Sequence, residues 1–93
     1  MDKQEKAVVT VYGLDTKGII SRVSTLLAQE NINILDISQT IVDKYFTMMM
    51  VVDVADASCT LQEIADKCNV LGQEIGMTIA CQHEDIFKYM HRI

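Results

Sequence analysis

Proline and tryptophan are both absent from this chain, and glycine occurs only four times in 93 residues. That leaves no room for a flexible linker or a low-complexity tail. One domain is expected, large enough for a two-layer core with little to spare. Aromatic residues make up 5% of the chain and apolar residues 49%, so the core has to be aliphatic and rich in sulfur. Positive charge is also scarce: eight Lys and Arg stand against thirteen Asp and Glu, a net charge of −5. Phosphate-backbone binding relies on clustered Lys and Arg, so direct contact with nucleic acid is not expected. A DNA-binding partner is not thereby excluded. The longest bulky apolar run, Met48 to Val52, is far too short to span a bilayer. The opening residues Met1 to Lys6 are polar, with no signal-peptide core behind them, which makes the cytoplasm the expected compartment. Cys59, Cys68 and Cys81 are odd in number and form no C-x-x-C pair. Neither a disulfide framework nor a structural zinc site is therefore expected.

What is present is periodic. Residues 6 to 13, Lys-Ala-Val-Val-Thr-Val-Tyr-Gly, read as a first strand with Val9 and Val11 on one side and Val8, Thr10 and Tyr12 on the other. After a short polar turn, Gly18 opens a helix to about Glu30, with Ile19, Val23, Leu26 and Leu27 at helical spacing and Ile20 widening the stripe. Asp15 or Thr16 is expected to cap it. Residues 32 to 42 form a second β-rich stretch, with Leu35, Ile37 and Ile41 on one face and Asp36, Ser38 and Thr40 on the other. Asp43-Lys44 suggests a two-residue hairpin turn. Beyond it Phe46, Met48, Met50, Val52 and Val54 alternate against Tyr45, Thr47, Met49, Val51 and Asp53.

Thr60-Leu-Gln-Glu63 fits a capping box, in which each end residue satisfies an orphan N–H of the other. Leu61, Ile64, Ala65, Cys68, Leu71 and Ile75 then keep one apolar stripe until Gly76 stops the helix. Residues 77 to 83 alternate as a fourth strand. Ile86, Met90 and Ile93 at i, i+4 and i+7 predict one or two amphipathic turns, too apolar to lie in water, so residues 84–93 form a helical tail. The order β-α-β-β-α-β, with right-handed crossovers, predicts an α+β ferredoxin-like sandwich: a four-stranded antiparallel sheet with two helices on one face.

The run Val-Tyr-Gly-Leu-Asp-Thr-Lys-Gly-Ile-Ile-Ser-Arg-Val, followed by Leu-Leu-Ala-Gln-Glu-Asn-Ile-Asn-Ile-Leu-Asp-Ile-Ser-Gln-Thr, resembles the ACT domain pattern over residues 5 to 83. The family's usual turn reads Asp-Arg-Pro-Gly-Ile, and Thr16-Lys17 stand here in place of Arg-Pro. The ending His-Glu-Asp-Ile-Phe-Lys-Tyr-Met-His-Arg-Ile further resembles small free-standing bacterial and archaeal ACT proteins, which are similar to the ACT repeats of the glycine-cleavage-system repressor. The resemblance implies regulation rather than catalysis: binding of an amino acid or similar small metabolite at a subunit interface, and control of an enzyme or transcription regulator. It places ligand contacts at Asp15, Thr16, Lys17, Gly18, Ile19 and Asn33, with no cofactor. The competing reading is a dimerisation or protein-interaction module whose ligand turn has degenerated.

Other chemistries fit poorly. Acylphosphatase-like phosphate binding needs an arginine in the first turn, and the only arginines are Arg22 and Arg92. Copper-chaperone domains place C-x-x-C in that turn, which here has no cysteine. Tyr12 and Tyr45 are available for base stacking, but the charge is wrong for RNA. His83 and His91, with Glu84 and Asp85 nearby, are too dispersed to suggest a metal site. Assembly is expected through the second strand, which should lie at a sheet edge and carries no Lys, Arg or Pro to discourage pairing. A continuous eight-stranded sheet is the favoured homodimer, and face-to-face sheet packing the runner-up.

Overall fold

Apolar side chains at every second position line one face of the sheet, and a computed structural model describing residues 5–85 places them in order. Strands β1 (Lys6–Leu14), β2 (Asn33–Val42), β3 (Tyr45–Asp53) and β4 (Met77–His83) form one sheet in the order β2-β3-β1-β4, with every neighbouring pair antiparallel. Helices α1 (Ile19–Gln29) and α2 (Leu61–Ile75) fill the two crossovers. This is the ferredoxin-like sandwich. Val9 and Val11 of β1, Met48 and Met50 of β3, and Ile79 of β4 meet Val23 and Leu27 of α1 and Ile64 and Cys68 of α2 in a single core. Among the described residues, no helix is long and apolar enough to cross a membrane.

Local signals hold up well at α2. Glu63 N–H donates to Thr60 Oγ1 at 3.2 Å, and Thr60 N–H donates to Glu63 Oε1 at 2.9 Å, so the reciprocal cap is complete. Gly76 ends the helix in the left-handed region at φ 73°, which an L side chain adopts only with strain. The Thr60 hydrogen bonds hold the Glu63 carboxyl below its ordinary value of 4.5, and Lys67 and Cys59 do the same for Glu30. A group depressed in the folded state contributes stability above its unfolded pKa, and that contribution is lost as pH falls through the folded value. Thermal stability is therefore expected to decline below about pH 4.5, and Glu63→Gln should flatten that acid limb in melts run against pH.

Two expectations need correction. Asp15 and Thr16 do not cap α1: Gly18 itself is the N-cap residue, and no side chain bonds the first turn. The reason lies in the hairpin. Asp15 N–H is held by the Lys44 carbonyl at 2.8 Å, so the chain is still tied to the β2–β3 turn and passes two further residues before the helix starts. Leu35 also leaves the row it was expected to share with Ile37 and Ile41. The β2–β3 register slips between Ile34 and Asp36, a bulge that leaves Leu35 without a partner on β3. The expected amphipathic turns of Ile86, Phe87, Met90 and Ile93 lie outside the described residues; Glu84 and Asp85 are helical.

Candidate functional site

The turn from β1 into α1 is the place where the backbone is most open to a ligand. Gly18 sits at φ 85°, ψ 7°, the left-handed region that favours glycine. A Cβ built there meets nothing within 4 Å, so the space in front of it is open. The first helical bond runs from Arg22 N–H to the Gly18 carbonyl at 3.0 Å. The N–H groups of Ile19, Ile20 and Ser21 thus precede the helical ladder, with no side-chain cap and no acid in the first turn. A helix of eleven residues adds partial positive charge at this end. Asp15, Thr16 and Lys17 are exposed on the rim. Ile19 points its side chain into the core at 3% exposure, which leaves only its backbone for a ligand.

Asn33 is elsewhere. It opens β2 level with Asp53 and Lys6, whereas the turn lies beside Val42, Tyr45 and Leu14 at the other end of the sheet. Nine residues of strand separate the two levels, roughly 30 Å at about 3.3 Å per residue. Asn33 lines a shallow polar depression of about 250 Å³ with Ala28, Asn31, Ile32, Asp53 and Asp56. Asn31 Nδ2 donates to the Asp56 carbonyl there at 2.9 Å. Of the six residues, five therefore cluster at one end of the chain's own sheet and the sixth does not join them.

The sequence reading missed Lys44, whose carbonyl fastens the turn to the hairpin. No spacing in the sequence pairs residues 15 and 44. It also missed the groove between the helices, about 520 Å³, lined by Leu26, Val70 and Leu71 with Arg22, Lys67 and Glu74 at the rim. Arg22 Nη2 meets Glu74 Oε1 at 3.1 Å across it, an exposed pair of small energetic weight. Nucleophilic chemistry has no foundation at the buried thiols. Burial pushes the Cys68 thiol up to about 12 and Cys81 to about 11, so neither is a thiolate near neutral pH. His83 is engaged at the end of β4, where Nδ1 accepts from Asp85 N–H at 3.1 Å and Nε2 lies 3.5 Å from Glu5 Oε2.

A four-stranded antiparallel sheet with two helices on one face, in the order β-α-β-β-α-β, puts the chain in the class of ferredoxin-like α+β domains. A family model of the ACT domain matches residues 5–82, and the chain belongs to that family. It is 54% identical over 88 residues to a UPF0237 protein of Bifidobacterium longum, covering 95% of this chain and 98% of that one. Among solved structures, an ACT domain protein from Streptococcus pneumoniae superposes with a TM-score of 0.80 at 39% identity, covering 91% of this chain and 96% of that one. A candidate glycine cleavage system transcriptional repressor shares the fold, with a TM-score of 0.76 at 23% identity over 88% of this chain and 47% of its own.

Proposed function

We propose that this ACT domain is a homodimeric regulatory module that binds an amino acid or a similar small zwitterion between its subunits. The observation that carries the reading is the open space in front of Gly18, faced by three helix-start N–H groups with no side-chain cap. A carboxylate fits there, with Lys17 adding attraction from the rim and Asp15 available to an ammonium group. One helix terminus contributes only ~0.3–1 kcal/mol to an exposed charge. Micromolar affinity requires about 8 kcal/mol, so the turn needs further walls.

A second subunit supplies them in the favoured arrangement. β2 is an edge strand, and Ile37 and Ile41 on its helix side are 41% and 54% exposed. Their partners on β3, Met50 and Phe46, are buried at 0% and 3%, so the helix layer stops one strand short of the edge. Antiparallel pairing of two such edges covers that step and closes the sheet edge. It also carries Asn33 of one subunit toward the hairpin end of the other, which addresses the separation within a single chain. Asn33 offers both a donor and an acceptor, and so reads either end of a zwitterion. Regulation of an enzyme or transcription regulator is the accompanying role.

The test is calorimetry with amino acids, chosen first by a thermal-shift screen in which a native-state ligand raises the melting temperature. Gly18→Val fills the carboxylate position and Asn33→Ala removes the polar partner. Each is expected to weaken binding by at least tenfold while the circular dichroism spectrum stays that of the wild type. Undiminished binding in both variants would place the site elsewhere, and the pure interaction module would then be the better reading.

A further inference from the structure

Among the described residues, five of the ten exposed large apolar side chains share one patch on the sheet face opposite the helices. They are Tyr12, Leu14, Val42, Tyr45 and Met49, between 47% and 66% exposed. Register fixes their arrangement. Val42, Tyr45 and Leu14 stand level across β2, β3 and β1. On the next level Tyr12 pairs with Thr47, and on the one after that Met49 pairs with Thr10. No charged residue stands on these three levels of the face; Lys6, Asp36 and Asp53 share the face but lie toward the Asn33 end. In a chain of net charge −5, this is ground that a second acidic chain can approach without facing carboxylates. A large side chain offers about 150–250 Å², so five of them half exposed leave roughly 500 Å² of apolar surface open. Contiguous patches of that size on a monomer are usually contact surfaces.

We propose that this patch is a second self-association surface, on which another copy of the chain packs sheet against sheet, in addition to the pairing of β2 edges. The relief of the patch is what selects a second copy. Tyr12 and Met49 occupy one diagonal of a square of four side chains, and the short Thr10 and Thr47 occupy the other. A two-fold axis parallel to the strands and midway between β1 and β3 sets β3 of the second copy over β1 of the first at equal height. Tyr12 then stands over Thr47 of the second copy, and Met49 over its Thr10. Tall meets short at every corner, and the symmetry repeats each contact in return. Inner faces that interdigitate in this way are what lets two sheets pack about 10 Å apart. Two such patches bury about 1,000 Å² together, the lower limit for a specific interface. The contact is therefore weak. Edge-paired dimers stay separate at micromolar concentration and join into tetramers as the concentration rises.

Sedimentation equilibrium on the full chain, from about 10 μM to about 1 mM, tests this. The wild type is expected to pass from dimer to tetramer within that range. Met49→Glu, which brings carboxylates to the contact, should weaken the dimer–dimer step at least tenfold. Thr47→Tyr is the sharper variant. It enlarges the apolar patch but sets a tall residue under Tyr12 of the second copy, so it too should weaken the step. Both positions are exposed and lie on a strand, so circular dichroism should match the wild type. Ile37→Asp, acting at the β2 edge, should reduce the largest species from tetramer to a dimer held by the sheet faces. A wild type that never exceeds a dimer, with Ile37→Asp monomeric throughout, overturns the proposal and leaves the edge pairing standing. Stronger association of Thr47→Tyr also overturns it, since the patch is then merely adhesive. So does a Met49 methyl already shielded from a soluble paramagnetic agent in the dilute dimer, because something other than a second dimer then covers the face.

Discussion

Gly72→Ala is expected to destabilise this fold by about 2 kcal/mol, although alanine is the better helix former. Gly72 lies inside α2, buried against β4. A Cβ built there falls 2.5 Å from the Met77 carbonyl oxygen and 3.4 Å from Ile79 Cγ1. The obstructing atom is backbone in the adjacent strand, which cannot swing aside as a side-chain tip can. Relief requires α2 to lift away from β4, and overpacking of this sort costs ~1–3 kcal/mol, more when backbone must move. The intrinsic helix gain of alanine over glycine, about 1 kcal/mol, offsets only part of it. For a domain of this size each kcal/mol moves the melting temperature by roughly 4–8 °C, so a fall of about 8–16 °C is expected. Gly76→Ala is the useful comparison. Its Cβ meets nothing within 4 Å, so its cost arises from φ 73° alone and should be smaller. Equal melting temperatures for wild type and Gly72→Ala would show that the α2–β4 contact is looser than its geometry implies.

Ile37→Asp is expected to weaken self-association by tenfold or more, which is about 1.4 kcal/mol. The prediction rests on the proposed pairing of β2 edges. Ile37 belongs to the half-exposed row that the helix layer leaves uncovered, so the substitution removes the apolar contact at the seam in addition to part of the packing within one subunit. Two-fold symmetry doubles the effect, because each dimer contains the change twice. Carboxylates brought near one another at a sheet seam also repel. Analytical ultracentrifugation across micromolar concentrations should show the wild type as a dimer and the variant shifted toward monomer. An exposed change on α2, Asn69→Asp, should leave the mass distribution as it was. A wild type that sediments as a monomer throughout removes the pairing. A variant that stays dimeric moves the interface away from β2.

The elements of this protein were legible because each has a local cause. Alternation at Phe46, Met48, Met50 and Val52 defines a strand whatever it packs against, and Thr60 with Glu63 defines a helix start through bonds three residues apart. The order of these elements, with the handedness of the crossovers, then leaves little choice but a sandwich. The candidate site was legible only in part. Gly18 announces a special backbone position, but its neighbours Asp15 and Thr16 looked like caps because capping propensity is judged over four residues of chain. The bond that prevents it comes from Lys44, 29 positions away from Asp15.

What the sequence determined, then, is the set of strands, helices and stops, since hydrophobic period, capping and left-handed glycines act over a few residues. Tertiary structure alone decided the distances between parts that share no local signal. It set Asn33 a full sheet-length from Gly18, since β1 and β2 run the same way on either side of a helix. It turned Gly72 from a weak point in a helix into the only residue small enough for β4 to pass, because helix and strand meet there backbone to side. It also left Ile37 and Ile41 outside the helix layer, since the buried core draws its sheet residues from β1, β3 and β4 and a twisted sheet turns its edge strand away from the helices.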